Sequence, residues 1–151
     1  MDKLKIDLIA ENIISVYPLL YKTISRPIKH QSSMTPGAMF VMGSLKRHGL
    51  LSMSDIGKCL AMPKPHVTLI IDRLIEEQYV ERQNDPNDRR IINVSITEKG
   101  IQIFDEIKAT LVENMKIKLL NLTEEEQEIL AVASLQVKDI LMRSEEHTSE
   151  L

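Results

Sequence analysis

The sequence predicts a mainly α-helical fold with one small β-hairpin wing. Three observations predict it. Apolar residues recur every three or four positions over most of the chain, the period of an amphipathic helix. Only once, between Tyr79 and Ile96, does the period fall to two. At that place Asn84-Asp85-Pro86-Asn87-Asp88, dense in turn formers, separates two short extended runs. With 151 residues, 43% hydrophobic and 27% charged, the chain has the length and composition of one packed domain.

The elements follow in order. Ile6, Ile9, Ile13, Val16, Leu20 and Ile24 form the stripe of a first long helix, which Pro18 is expected to kink or interrupt. A polar break follows at His30-Gln31-Ser32-Ser33. Thr35-Pro36 reads as an N-cap with proline at the first helical position, and Gly49 as the stop. Ser52, with Asp55 three residues on, opens a short helix through Leu60. Pro63 and Pro65 mark the next start, and Val67, Ile70, Ile71 and Leu74 carry that helix to about Gln78. Tyr79 to Gln83 is the first extended run. In the second, Ile92, Val94 and Ile96 alternate with Asn93 and Ser95 as a half-buried strand. Thr97 caps a long helix with Ile101, Phe104, Ile107, Leu111, Met115 and Leu119 on one face. Thr123 and Glu126 form a capping box for a last helix, striped by Ile129, Ala133, Val137 and Ile140.

Short helices followed by a two-stranded hairpin describe a winged helix-turn-helix. The long helices at both chain ends carry more apolar surface than a small central lobe can cover. A second copy of the chain is the simplest cover, so these are expected to be dimerisation helices.

Composition excludes several functions. A single cysteine rules out an intramolecular disulfide framework. No stretch approaches the roughly 18 uncharged apolar residues of a membrane span, and the first residues carry charges unlike a signal peptide. No membrane partner is expected, and the expected location is cytoplasmic. Aromatics are 3%, which argues against a stacking platform for single strands. His30, His48, His66 and His147 show no paired ligand spacing, so neither a metal nor any cofactor is expected. No nucleophile–base pair or phosphate loop suggests an enzyme. Met34, Met39, Met42, Met53 and Met62 suit either a core or an adaptable ligand pocket, and the core is the plainer reading.

Net charge is −3. The last nine residues, RSEEHTSEL from Arg143 to Leu151, resemble a translated sequencing adapter and are set apart from the fold. Without them 18 basic residues face 19 acidic ones, so bulk charge argues neither for nor against nucleic acid. Local charge is more telling. Between Lys46 and Arg90, eight basic residues face seven acidic ones, against an acidic remainder.

A recognition helix enters the major groove with its N-terminal end, so its first-turn side chains must be polar, small or cationic and must point away from the core. Lys64, Pro65, His66 and Thr68 occupy that end, with Val67, Ile70 and Ile71 inward. Lys64 can meet a phosphate or guanine acceptors, and His66 and Thr68 can bond base edges. Arg89 and Arg90 sit at the wing tip beside Asp88, and a narrow minor groove attracts arginine. Ser52, Ser54 and Arg73 complete the candidate DNA-binding set.

SDIGKCLAMPKPHVTLIIDR, from Ser54 to Arg73, and VERQNDPNDRRIINVSITEKG, from Val80 to Gly100, resemble the MarR family of bacterial transcriptional regulators. The resemblance rests on the helix-turn-helix spacing, the lysine-proline opening of the recognition helix, the aspartate-arginine wing tip and the exit from Ile96 to Gly100. It implies a single domain over about 1–142, with a DNA-binding lobe at about 35–100 and dimerisation helices at about 3–28 and 98–142. It also implies a homodimeric, ligand-responsive repressor of a pseudo-palindromic double-stranded operator. Asp88 would brace an arginine and Arg90 would enter the minor groove. A small aromatic or phenolic effector is implied as well.

Two positions depart from the family pattern. Pro63 stands where serine or threonine is usual, and Leu69 where arginine is frequent, so base preference does not carry over. Two alternatives accompany the leading reading: a winged-helix protein–protein module without DNA binding, and a cysteine-based oxidant sensor. Cys59, the lone thiol, shares a side with Ile56 and Leu60 and is expected to be a small buried hydrophobe without a redox role.

Overall fold

The computed structural model describes residues 3–28 and 34–149, with side chains over 3–25 and 34–144. The expected polar break from His30 to Ser33 and the side chain of His147 lie outside the described residues. The elements are α1 (Lys3–Ile28), α2 (Pro36–His48), β1 (Leu50–Ser52), α3 (Met53–Cys59), α4 (Lys64–Glu76), β2 (Val80–Asn84), β3 (Ile92–Ile96), α5 (Glu98–Leu119) and α6 (Glu124–Ser149). The chain divides into two compact units, residues 1–112 and 113–151.

In the first unit, local chemistry sets the helix ends. The Thr35 hydroxyl accepts from the Ala38 amide at 3.1 Å and starts α2; Gly49, at φ +80°, ends it. Ser52 caps α3 by accepting from the Asp55 amide at 3.1 Å. Pro63 opens α4 without a side-chain cap, its carbonyl instead accepting from His66 and Val67. The Thr97 hydroxyl accepts from the Gly100 amide at 3.0 Å and donates to the Gln78 carbonyl at 2.7 Å. One side chain thus starts α5 and ties it to the turn that ends α4.

The core gathers one face from each element. Val41, Met42 and Leu45 of α2, Ile56 of α3, and Val67, Ile71 and Leu74 of α4 meet Val94 of β3 and Ile107 of α5. Met34 and Met42 are buried, and Met39, Met53 and Met62 pack against the same cluster, so these methionines belong to the core.

Two expectations are corrected here, and the expected β2–β3 hairpin gains a third strand. Pro18 does not interrupt α1, which is one helix from Lys3 to Ile28. Proline removes a single hydrogen bond, and the helix bonds on either side are enough to carry the element through. The sheet has three strands in the order β1-β3-β2, both pairs antiparallel. A three-residue strand is too short to show alternation, so β1 left no periodic signal. Finally, β3 does not start with its isoleucine inward: Ile92 is exposed and Asn93 buried. The Asn93 amide can be buried because it donates to the Asp85 carboxylate at 3.1 Å.

In the second unit, Thr123 and Glu126 form the expected capping box. The Thr123 amide donates to the Glu126 carboxylate at 2.9 Å, and the Glu126 amide to the Thr123 hydroxyl at 3.3 Å. Ile129, Val137 and Ile140 of the α6 stripe are exposed. In the first unit, Ile6, Ile9, Ile13, Val16 and Leu20 of α1 are exposed too.

Candidate nucleic-acid interface

Helix α4 has two faces because its sequence does. Val67, Ile70, Ile71 and Leu74 are buried, while Lys64, Pro65, His66, Leu69 and Arg73 are exposed. The expected outward set of Lys64, Pro65 and His66 therefore stands clear of the core. Thr68 is half-buried, and its hydroxyl donates to the Lys64 carbonyl at 2.9 Å. That bond occupies its proton, so Thr68 can offer a base edge only an acceptor.

An open groove lies between the start of α4 and the wing. Ser52, Ser54, Lys64, Thr68, Arg82 and Arg90 line it, with Asp85 and Asn93 at the wing side. Five of the ten candidate residues, Ser52, Ser54, Lys64, Thr68 and Arg90, thus border one depression. Ser52 is committed to its cap. Arg73 lies a further two turns along α4 and does not line the groove, nor do Pro65, His66, Asp88 and Arg89.

The wing tip is organised by a carboxylate that the sequence reading treated only as a turn former. Asp85 accepts from the amides of Asn87 at 2.9 Å and Asp88 at 3.1 Å with one oxygen, and from Asn93 with the other. These donors, the Asn87 amide foremost, hold its pKa below the ordinary 3.8. The signal was present, since aspartate bonding to the amide two residues on is the Asx turn. The Asp88 carboxylate accepts the Arg90 amide at 3.0 Å, and the Arg90 guanidinium is 3.9 Å away with its side chain 94% exposed. Arg89 is exposed alongside it.

Arg82 of β2 was also missed. It pairs with Asp72 of α4 at 2.5 Å and lines the groove, joining wing to recognition helix. Ten residues separate the partners, so no local spacing announces the pair.

Cys59 corrects another expectation, because it is exposed rather than buried. Helix α3 is two turns long, and Ile56 is its one buried residue, with Met53 partly buried beside the core. Cys59 is the last helical residue, about 60° around the axis from Ile56, and falls outside the contact. Burial therefore gives no argument against a redox role.

Among the described residues, no group of three or more histidine, cysteine, aspartate or glutamate side chains could hold a metal ion. No helix among them is long and apolar enough to cross a membrane.

An acid titration tests the Asp85 arrangement. Because its folded pKa is lowered, its contribution is complete above 3.8 and is lost as pH falls through the lower folded value. The Asn87 and Asp88 amide resonances should therefore shift with a midpoint below 3.8. A midpoint at or above that value would mean the carboxylate is not held.

The MarR family profile matches residues 34–92. The transcriptional repressor MdtR of Bacillus subtilis is 38% identical over 96 residues, which cover 64% of this chain and 62% of the repressor's own length. Among solved structures, the YusO protein of Bacillus subtilis aligns over 92% of this chain and 98% of its own, with a TM-score of 0.70 and 28% identity. A cysteine-to-serine mutant of Escherichia coli MarR, solved in complex with operator DNA, aligns over 93% and 99% with a TM-score of 0.65; at 23% identity it shares the fold. The chain thus resembles the MarR family over residues 34–92, and α3, α4 and the β2–β3 hairpin give it a winged helix-turn-helix architecture.

Proposed function

We propose that this chain is a homodimeric, sequence-specific DNA-binding transcriptional regulator that represses by occupying a pseudo-palindromic operator in the bacterial cytoplasm. The observation that carries the reading is the shared groove. Lys64 at the start of α4 and Arg82 and Arg90 of the wing border one depression, with His66 exposed beside it. Cations so placed suit phosphates on either side of a groove, with polar helix residues toward base edges. Similarity to a protein named as a transcriptional repressor, and the fold shared with an operator-bound MarR, support it. Residues of about 35–100 form the DNA-binding lobe in this reading, and α1, α5 and α6 the dimerisation helices. A small aromatic or phenolic effector goes with the family resemblance.

Binding to duplex DNA at rising salt is the test. Arg90→Ala should weaken binding to nearly all sequences, because a wing arginine reads charge and groove shape. His66→Ala should also change base preference, as a first-turn helix residue reads base edges. Each loss should be about 1–3 kcal/mol. Both variants binding like the parent would place the DNA face elsewhere. No binding by any form at low salt would leave the protein–protein module.

The dimer has its own test. The apolar stripes of α1 and of α6 each stand exposed, more than isolated surface residues require. The full chain should sediment as a dimer at micromolar concentration, and a well-folded monomer there would refute the assignment.

A further inference from the structure

Helix α4 presents an aliphatic side chain in the middle of its outward face, and nothing described so far uses it. Leu69 is 50% exposed. Val67, Ile71 and Leu74 already fill the core side and are buried to within 1%. At about 100° per residue, Leu69 points roughly 140–160° away from those three. The neighbours on its own face are exposed Pro65 one turn before, His66, and exposed Arg73 one turn after.

We propose that Leu69, extended by Pro65, is a specificity-determining surface that reads the C5-methyl group of a thymine in each operator half-site. The inference rests on the DNA-binding reading above and deepens it. The major groove offers only one apolar feature, the thymine methyl, and small apolar side chains contact it there. A bare leucine on a face opposed to polyanionic DNA would otherwise strip water from polar base edges with nothing in return. The flanking imidazole and guanidinium supply the polar and charged contacts that hold the helix in place around it. Leucine therefore replaces a hydrogen-bond readout with a methyl readout at that position.

The experiment selects binding sites from a random duplex library with the wild-type chain. Each thymine of the selected site is then replaced by deoxyuridine, which removes the methyl and keeps the base pair. One thymine per half-site should lose about fourfold in affinity on replacement, the effect of burying one methyl. Leu69→Ala should itself bind the thymine site about fourfold more weakly, and in it the same replacement should change affinity far less. A wild-type scan that is flat at every thymine overturns the proposal. So does a uracil effect of unchanged size in Leu69→Ala. Absence of any duplex binding by the wild-type chain at low salt is a different failure, and it overturns the DNA-binding reading along with this one.

Discussion

Gly100→Ala should destabilise the first unit by about 3 kcal/mol, read as a drop in the urea midpoint. Gly100 is buried, and a Cβ built on it runs into the Tyr79 carbonyl oxygen and meets the Ile96 side chain at 2.8 Å. The first obstacle is backbone, and it cannot step aside. The Tyr79 carbonyl accepts from the Thr97 amide at 3.0 Å, and the Thr97 hydroxyl, bonded to the Gln78 carbonyl, lies 3.1 Å from it. Lys99 adds a bond to the Glu77 carbonyl at 2.9 Å. Moving any of these would separate the start of α5 from the end of α4. Gly43→Ala is the contrast. Its Cβ would meet only the Phe104 ring, at an ordinary 3.5 Å, and alanine suits a helix interior better. That variant should be as stable as the parent or slightly more. Equal midpoints for the parent and Gly100→Ala would mean that α5 does not sit as described.

Ile71→Ala should cost about 2–5 kcal/mol in the same measurement. Ile71 is fully buried in the cluster shared by α2, α3, α4 and β3. Its removal leaves a cavity beneath the helix that carries Lys64 and His66. Leu69→Ala, two residues away on the same helix, should shift stability by no more than about 0.5 kcal/mol, because its side chain faces outward. The pair separates the structural side of α4 from its recognition side. A reversal of the two effects would mean that the helix is rotated about its axis.

Much of the fold was legible because each element announces itself locally. Thr35, Ser52, Thr97 and Thr123 all cap the helices that sequence assigned to them. The buried face of α4 follows directly from the spacing of Val67, Ile70, Ile71 and Leu74. What escaped was set by partners distant in sequence. β1 exists because β3 offers it an edge, and Leu50-Leu51-Ser52 alone shows no strand period. Asn93 is buried because Asp85 reaches it, eight residues back. Cys59 was misjudged because a two-turn helix has too few residues for an apolar pattern to locate its inner face. At the site, exposure of Lys64, His66 and Arg90 was readable from residue type and helix position. The Asp72–Arg82 pair was not, since only the folded hairpin brings β2 against α4.

The central position of β3 sets how the wing opens. Asn93, Val94 and Ser95 are paired to β1 on one side and to β2 on the other. For β3 to leave the sheet, two ladders must break; for β2 to leave, only one. Transient local unfolding should therefore proceed by β2 peeling from the outside, carrying Arg82 away from Asp72 as it goes. In hydrogen exchange, the β3 amides should outlast those of Gln83 and Asn84. The wing's outer strand is then the replaceable part of the sheet, and its inner strand the part that retains the fold while the wing opens.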